Sequence, residues 1–477
     1  MIGYARALVA VVAAISATVG CGLAAPAPSL GQKPGMNNRP VADTLASKFV
    51  GRLSHAQPSE VIVTSRTGAP VQLPGTQTIA TMVVGGKHVS LARPVAGTTL
   101  QAIVDGNRSN PVADVAQNDM WWAQAGAPAS TPGAPPADEY QSMQFGLARM
   151  DVAGAWKVTQ GNPDLVVAVL DTGVDYNHPE FAGRIVKGPN FAYRKPEPTT
   201  PGSGAPGASV QAGNDAPSPA APRQQLPGVP QATGPDDPID DFGHGTHVAG
   251  IIAAAADGRG VVGVAPRVKI MAVKVLGPTG GGTTWDIAQG IHHAVSKGAK
   301  IVNLSLGGPT SNGFVELLVA DARAKGVLVV AAAGNNGWNL DGPPVNAGIV
   351  QVPHTIYPAM YKGAMAVGAT DDQDKLGNFS NYGKKVAVTA PGVKILSTMP
   401  TTPCAMSVSG GFLKNYDVMS GTSMAAPMAA GAAALVMSAH PDWTPDQVEE
   451  ALMRTADKVG PEPFFGKGRV NVGKAVL

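Results

Sequence analysis

Cysteine is nearly absent: Cys21 and Cys404 are the only two in 477 residues, which excludes a disulfide framework. Charge is scarce as well. Acidic and basic residues make up 14% of the chain and balance to a net +2, so there is no basic footprint and no nucleic-acid partner is expected. Aromatics amount to 5%, which leaves the core to Ala, Val, Ile and Leu. What the chain has in quantity is glycine and proline, 59 and 42 residues, close to the level that marks unstructured stretches, so linkers are expected. Hydrophobic residues at 44% describe a globular protein, and the length leaves room for two or three domains.

The chain divides by composition. Residues 1–24 read as an export signal: Arg6 supplies a weak basic region, and Ala7 to Val19 are apolar but too short for a stable membrane anchor. Thr18-Val19-Gly20-Cys21 resembles a bacterial lipobox, with Thr18 where Leu is usual. Cys21 would then be lipidated and become the mature N-terminus; ordinary cleavage near Ala24 is the alternative. Both routes take the chain out of the cytoplasm, secreted or lipid-anchored at the bacterial cell envelope. Cys404 is then a lone thiol of the inert kind. Residues 25–40 form a spacer.

Residues 41–122 carry short β-rich runs (Val61–Thr64, Ile79–Val84, His88–Leu91) broken by Gly and Pro, a small α+β unit. Residues 123–139 are a Pro/Ala-rich linker. From 140 to 477 the texture is regular. Apolar runs at Leu165–Leu170, Val268–Val275, Lys300–Leu306, Val327–Ala332, Ala364–Val367 and Val386–Thr389 alternate with helix-period segments at His244–Ala256, Thr284–Lys297, Phe314–Lys325, Thr422–Ala439 and Pro445–Thr455. This predicts one large α/β domain, a mostly parallel sheet with helices on both faces. Two loops interrupt it: residues 194–238, read as disordered or extended, and 398–416, which holds Cys404.

Three motifs fall where such a fold collects its chemistry. Val169-Leu170-Asp171-Thr172-Gly173 places an aspartate directly after a buried strand; Gly243-His244-Gly245-Thr246-His247 opens a helix; Gly421-Thr422-Ser423-Met424 opens another. Taken singly, these read as a strand-end turn, a structural histidine and a helix cap. Together they supply a nucleophile, a base to take its proton and a carboxylate to orient the base. In that order, Asp171, His244, Ser423, and with the intact Asp-Thr-Gly, His-Gly-Thr-His-Val-Ala-Gly and Gly-Thr-Ser-Met-Ala-Ala-Pro motifs, the chain from Tyr140 to Leu477 resembles the subtilases, subtilisin-like serine endopeptidases.

The resemblance implies more. Asn335, on the loop after Val327–Ala332, matches the oxyanion-hole amide. Ser305, Leu306 and Gly307 match the strand that pairs with substrate backbone, and Ala332 and Gly334 would line the primary specificity pocket with Gly307. No acid stands among these positions, so apolar or bulky residues are expected there. Gln141, Glu180 and Asp257, with carbonyls of Ala255, Arg259 and Val261, match a Ca2+ site. The 41–122 unit matches an inhibitory, fold-templating propeptide whose tail, around Val112–Asp119, would lie in the active site, with cleavage between Ala123 and Glu139. Trp121-Trp122 either dock onto the enzyme or fill a gap. His292-His293, neighbours on one helix, cannot face one metal together. A monomer acting on proteins or peptides is expected. The alternative is a non-catalytic envelope protein that binds peptide on the same scaffold; a missing triad residue would favour it, and none is missing.

Overall fold

A computed structural model describes residues 60–123, 140–193 and 228–477, apart from 344, 348, 349 and 353. The export signal with Cys21, the spacer and most of the linker lie outside the described residues.

The N-terminal unit is a four-stranded antiparallel sheet of β1 (Val61–Ser65), β2 (Thr76–Val84), β3 (Lys87–Pro94) and β4 (Ala113–Gln117), in the order β2-β3-β1-β4, with helix α1 (Leu100–Gly106). The stretch expected in the active site is therefore β4, paired with β1 through Val63↔Val115. Its alternation of small and apolar residues suits an edge strand. The strand that pairs with the large domain comes next, as β5 (Met120–Ala123).

The large domain is built on seven parallel strands. In chain order they are β6 (Val166–Asp171), β7 (Ile185–Asn190), β8 (Lys269–Lys274), β10 (Ile301–Leu304), β12 (Leu328–Ala332), β13 (Ala364–Thr370) and β14 (Val386–Pro391). They lie in the order β14-β13-β12-β10-β6-β8-β7. Successive residues of a strand face opposite sides, and each side has its own core. Val167, Val169, Leu328 and Val330 belong to one; Ala168, Leu170, Val302 and Val329 belong to the other. β7 escapes the sequence pattern because Lys187-Gly188-Pro189 breaks its apolar run, which an edge strand tolerates.

Helices α2 (His244–Ala253) and α6 (Thr422–Ala439) cover one face, α3 (Thr284–Ser296) and α4 (Gly313–Ala324) the other. α6 is long and apolar enough to cross a bilayer, yet it is the central helix of a water-excluding core, with Thr422 to Met437 buried. Its alanines let it lie close against β10, β12 and β13. The 398–416 loop contains helix α5 (Ala405–Ser409), and its last residue, Tyr416, begins a strand, Tyr416–Met419, paired with Ile395–Thr398. Residues 228–238 are packed rather than extended: Val174 donates to the Pro238 carbonyl at 2.9 Å and Asn190 to Pro235 at 2.6 Å.

Two further short strands, β9 (Gly281–Thr283) and β11 (Leu306–Gly307), flank β5 in a three-stranded antiparallel sheet, β11-β5-β9. The segment before β5 caps α3. The Asn118 side chain accepts from the Trp285 amide at 2.9 Å and the Asp119 carbonyl from the Thr284 amide at 2.7 Å. These satisfy donors that a helix start leaves unpaired.

Candidate active site

Asp171 ends β6, and parallel strands end at the edge of the sheet where α/β folds gather ligands. His244 is the first residue of α2. Gly243 before it has φ +116°, and a side chain there would meet the Cys404 sulfur at 2.9 Å, so only glycine fits the entry to this helix. The result is a buried contact: His244 Nδ1 lies 2.7 Å from Asp171 Oδ1, with both side chains wholly inaccessible. An Nδ1–H donated to a carboxylate leaves Nε2 as the basic nitrogen. That Nε2 has no hydrogen-bond partner among the described residues.

Ser423 is the second residue of α6. Its hydroxyl donates to the Ser305 carbonyl at 3.0 Å, while the Ser305 hydroxyl donates to the Ser423 carbonyl at 2.8 Å. Ser305, expected against substrate, thus holds Ser423. Asn303 Nδ2 bonds the Ser305 hydroxyl at 2.9 Å and completes the support.

Asn335 follows β12 and turns its carboxamide toward the start of α6. Oδ1 accepts from the Thr422 amide and the Thr422 hydroxyl, both at 2.8 Å. With the oxygen engaged in this way, the amide's orientation is set and Nδ2 is its donor end. The loop itself is pinned by Asn381, whose side chain donates to Ala333 O at 2.9 Å and accepts from Asn336 and Trp338 amides. Gly334 donates to Thr422 Oγ1 at 3.1 Å, and Ala332 is buried at the end of β12. Leu306 and Gly307 form β11, the edge that β5 occupies.

The groups behind the Asp–His pair were not singled out from the sequence. Asp240 is buried and collects the Gly243, Thr246 and Phe242 amides with the Thr246 and Thr172 hydroxyls. Thr172 Oγ1 in turn accepts from the Gly245 amide at 2.9 Å. Burial pushes the Asp240 carboxyl up, against the pull of Lys274 and these donors. Lys274, opposite Asp171 in the sheet, pairs with Asp241 at 2.7 Å, both 2% exposed, and also donates to the Thr172 carbonyl. The signal was present as the Asp-Asp doublet just before the histidine motif.

The expected Ca2+ ligands do not assemble as expected. Glu180 is buried, but its carboxylate is taken up by the Val261 amide (3.2 Å), the Ala255 amide (3.1 Å) and the Tyr416 hydroxyl (2.9 Å). Asp257 pairs with Arg259 at 2.9 Å at the surface, and Gln141 is exposed. Among the described residues, no group of three acids, histidines or cysteines converges on one point. Gln144 grips the same loop, bonding Val262 N and O at 3.0 and 2.9 Å. In this arrangement the Glu180 carboxylate is spent on bracing the chain. The brace makes its own prediction: Tyr416→Phe should lower unfolding stability by about 1 kcal/mol. A chelator should leave the thermal midpoint unchanged; a calorimetric midpoint that falls with EDTA would restore the ion.

Cys404 packs behind Gly243, its thiol pushed up by burial to about 11, which agrees with an inert role. His247 is buried under the site with Nε2 on the Asp417 carbonyl at 3.1 Å; burial lowers it to about 3 and keeps it neutral. His293 lies against Phe191.

Comparison with known proteins agrees with this geometry. The subtilase family matches residues 162–468. A thermophilic serine proteinase of Bacillus sp. (strain AK1) is 36% identical over 379 residues, 79% of this chain and 76% of that protein. Subtilisin Savinase of Lederbergia lenta is 37% identical over 335 residues, 70% of this chain and 99% of its own length. Subtilisin E of Bacillus subtilis (strain 168) is 36% identical over 340 residues, 71% and 73% of the two chains.

Proposed function

The chain belongs to the subtilase family and is a subtilisin-like serine endopeptidase, and from that premise we propose which of its residues carry the reaction. Ser423 Oγ attacks the carbonyl carbon of the scissile peptide as His244 Nε2 takes its proton. Asp171 holds the imidazole in the tautomer this requires and balances the imidazolium that forms. Asn335 Nδ2 and the Ser423 amide donate to the oxyanion, whose charge also lies at the positive start of α6. His244 then protonates the leaving amine, and water releases the acyl group by the same steps in reverse. The observation that carries this reading is the buried 2.7 Å Asp171–His244 contact at the sheet edge where the Ser423 helix begins. The test is labelling with an organophosphate: the processed protein should be modified at Ser423 and lose caseinolytic activity together. Modification elsewhere, or activity that survives it, refutes the assignment.

Asn335→Ala is expected to lower kcat by about a hundred- to a thousandfold with little change in KM, because the amide matters only once the oxyanion forms. Steady-state kinetics on a peptide anilide measures both. An unchanged kcat removes Asn335 from the mechanism.

The N-terminal unit acts, in this reading, as an intramolecular inhibitor and folding template for a non-local parallel sheet. What supports it is β5, which fills the edge between β9 and β11. Burial in the docked state pushes the Asp119 carboxyl up to about 6, against about 3.9 when solvated. A raised carboxyl favours docking fully below pH 4, and that contribution is lost as pH rises through 6. The cut but still associated N-terminal unit should therefore dissociate up to about a hundredfold more readily at pH 7 than at pH 4. Asp119→Asn should abolish the step; a pH-independent dissociation constant in the parent refutes it.

The protein is exported through residues 1–24 and acts as a monomer on protein or peptide substrates. Intact mass decides between lipid on Cys21 and cleavage near Ala24.

A further inference from the structure

We propose, resting on the endopeptidase reading, that Ile356 fills much of the slot beside Ser423 that receives the substrate side chain before the cut. The protease then cuts after small residues and not after bulky ones.

Two chain segments meet the start of α6 and bound the slot. On one side the Ser305 carbonyl accepts the Ser423 hydroxyl at 3.0 Å, and Leu306 and Gly307 follow as β11. On the other, Gly334 donates to Thr422 Oγ1 at 3.1 Å, and Asn335 Oδ1 accepts from the Thr422 amide at 2.8 Å. A peptide carbonyl attacked by Ser423, with its oxygen turned toward Asn335 Nδ2, lies between these segments. Its side chain then enters the gap between Gly307 and Gly334.

Both walls lack a side chain at that point, and one residue takes up the room they leave. A side-chain carbon on Gly307 would meet Ile356 Cγ2 at 2.7 Å, and one on Gly334 would meet Ile356 Cγ1 at 2.7 Å. The two glycines therefore abut the two branches of a single isoleucine, which is 4% exposed. The slot stays apolar, as the sequence led one to expect, but these branches occupy the depth that a bulky substrate side chain needs.

Ile356 has little freedom to swing clear. The next residue, Tyr357, is clamped to Gly308, its amide donating to the Gly308 carbonyl at 2.8 Å and its carbonyl accepting from the Gly308 amide at 3.0 Å. A β-branched side chain has few χ1 choices. Forcing a ring into space already filled meets the repulsion that makes overpacked cores unstable. A methyl or hydroxymethyl group asks for far less room.

The test is a set of peptide anilides that differ only in the residue before the anilide, cut by the processed protein and its Ile356→Ala and Ile356→Val variants. The parent should cleave the Ala anilide at least about tenfold faster, in kcat/KM, than the Phe anilide. Ile356→Ala should raise the Phe-to-Ala ratio at least about tenfold, since one methylene in an apolar pocket is worth about 10- to 200-fold. Ile356→Val should raise it by a smaller factor. Casein fragments mapped by mass should end mainly at Ala, Gly or Ser, a readout that needs no variant to fold. A parent that prefers the Phe anilide, casein fragments ending mainly at Phe, Tyr or Leu, or a ratio unchanged in both variants overturns the proposal. A parent that cuts neither the anilides nor casein overturns the endopeptidase reading instead.

Discussion

Replacing Ser423 with alanine is expected to lower turnover about a millionfold, the loss that removal of the nucleophile produces in subtilisin itself. The geometry predicts that this loss comes almost without structural cost. The substitution removes one hydroxyl and its 3.0 Å bond to the Ser305 carbonyl, worth about 1 kcal/mol. The Ser305 hydroxyl still reaches the Ser423 carbonyl, and Asn335 still bonds Thr422. Activity and stability should therefore separate: a near-native thermal midpoint beside residual hydrolysis close to background. Turnover within tenfold of the parent would mean that another group attacks the peptide.

Asp171→Asn should cost about ten-thousandfold in kcat, the size of effect this change has in a serine protease of unrelated fold. Asp171 Oδ1 serves two donors, His244 Nδ1 at 2.7 Å and the Thr172 amide at 2.7 Å. An asparagine that keeps its oxygen there loses the charge that balances the imidazolium and buries an NH2 where Oδ2 has no partner among the described residues. An asparagine turned the other way points N–H at N–H. The buried unpaired donor should also cost about 1–3 kcal/mol of stability. Comparing kcat with KM decides the assignment: kcat falls and KM moves little, because Asp171 acts through His244. A variant that keeps most of its kcat would show that His244 is oriented by other means.

Much of this was legible in the chain. Six of the seven parallel strands announced themselves as apolar runs because both faces of the sheet are covered; the seventh, Ile185–Asn190, sits at the edge and carries a lysine and a proline. Asp171, His244 and Ser423 were legible because the ends of strands and the starts of helices carry local motifs. Trp121 and Trp122 were visible as an oddity, but whether they docked or filled a gap was not, because their partners lie about 160 and 185 residues further along the chain.

Composition, periodicity and motif order by themselves determined an α/β chain with an Asp-His-Ser set and a small domain ahead of it. These features are short-range: a strand's alternation, a helix's period and a glycine before a helix start are each written within a few positions. Only the tertiary structure decided how distant groups spend their hydrogen bonds. It gave Ser305 to Ser423 and Thr422 to Asn335. It set Asp240 and Lys274 behind the Asp171–His244 pair, Glu180 against Tyr416, and Met120–Ala123 between Gly281–Thr283 and Leu306–Gly307. A buried donor or acceptor must be answered by whatever the fold brings near it, and that neighbour is chosen by packing across the whole chain.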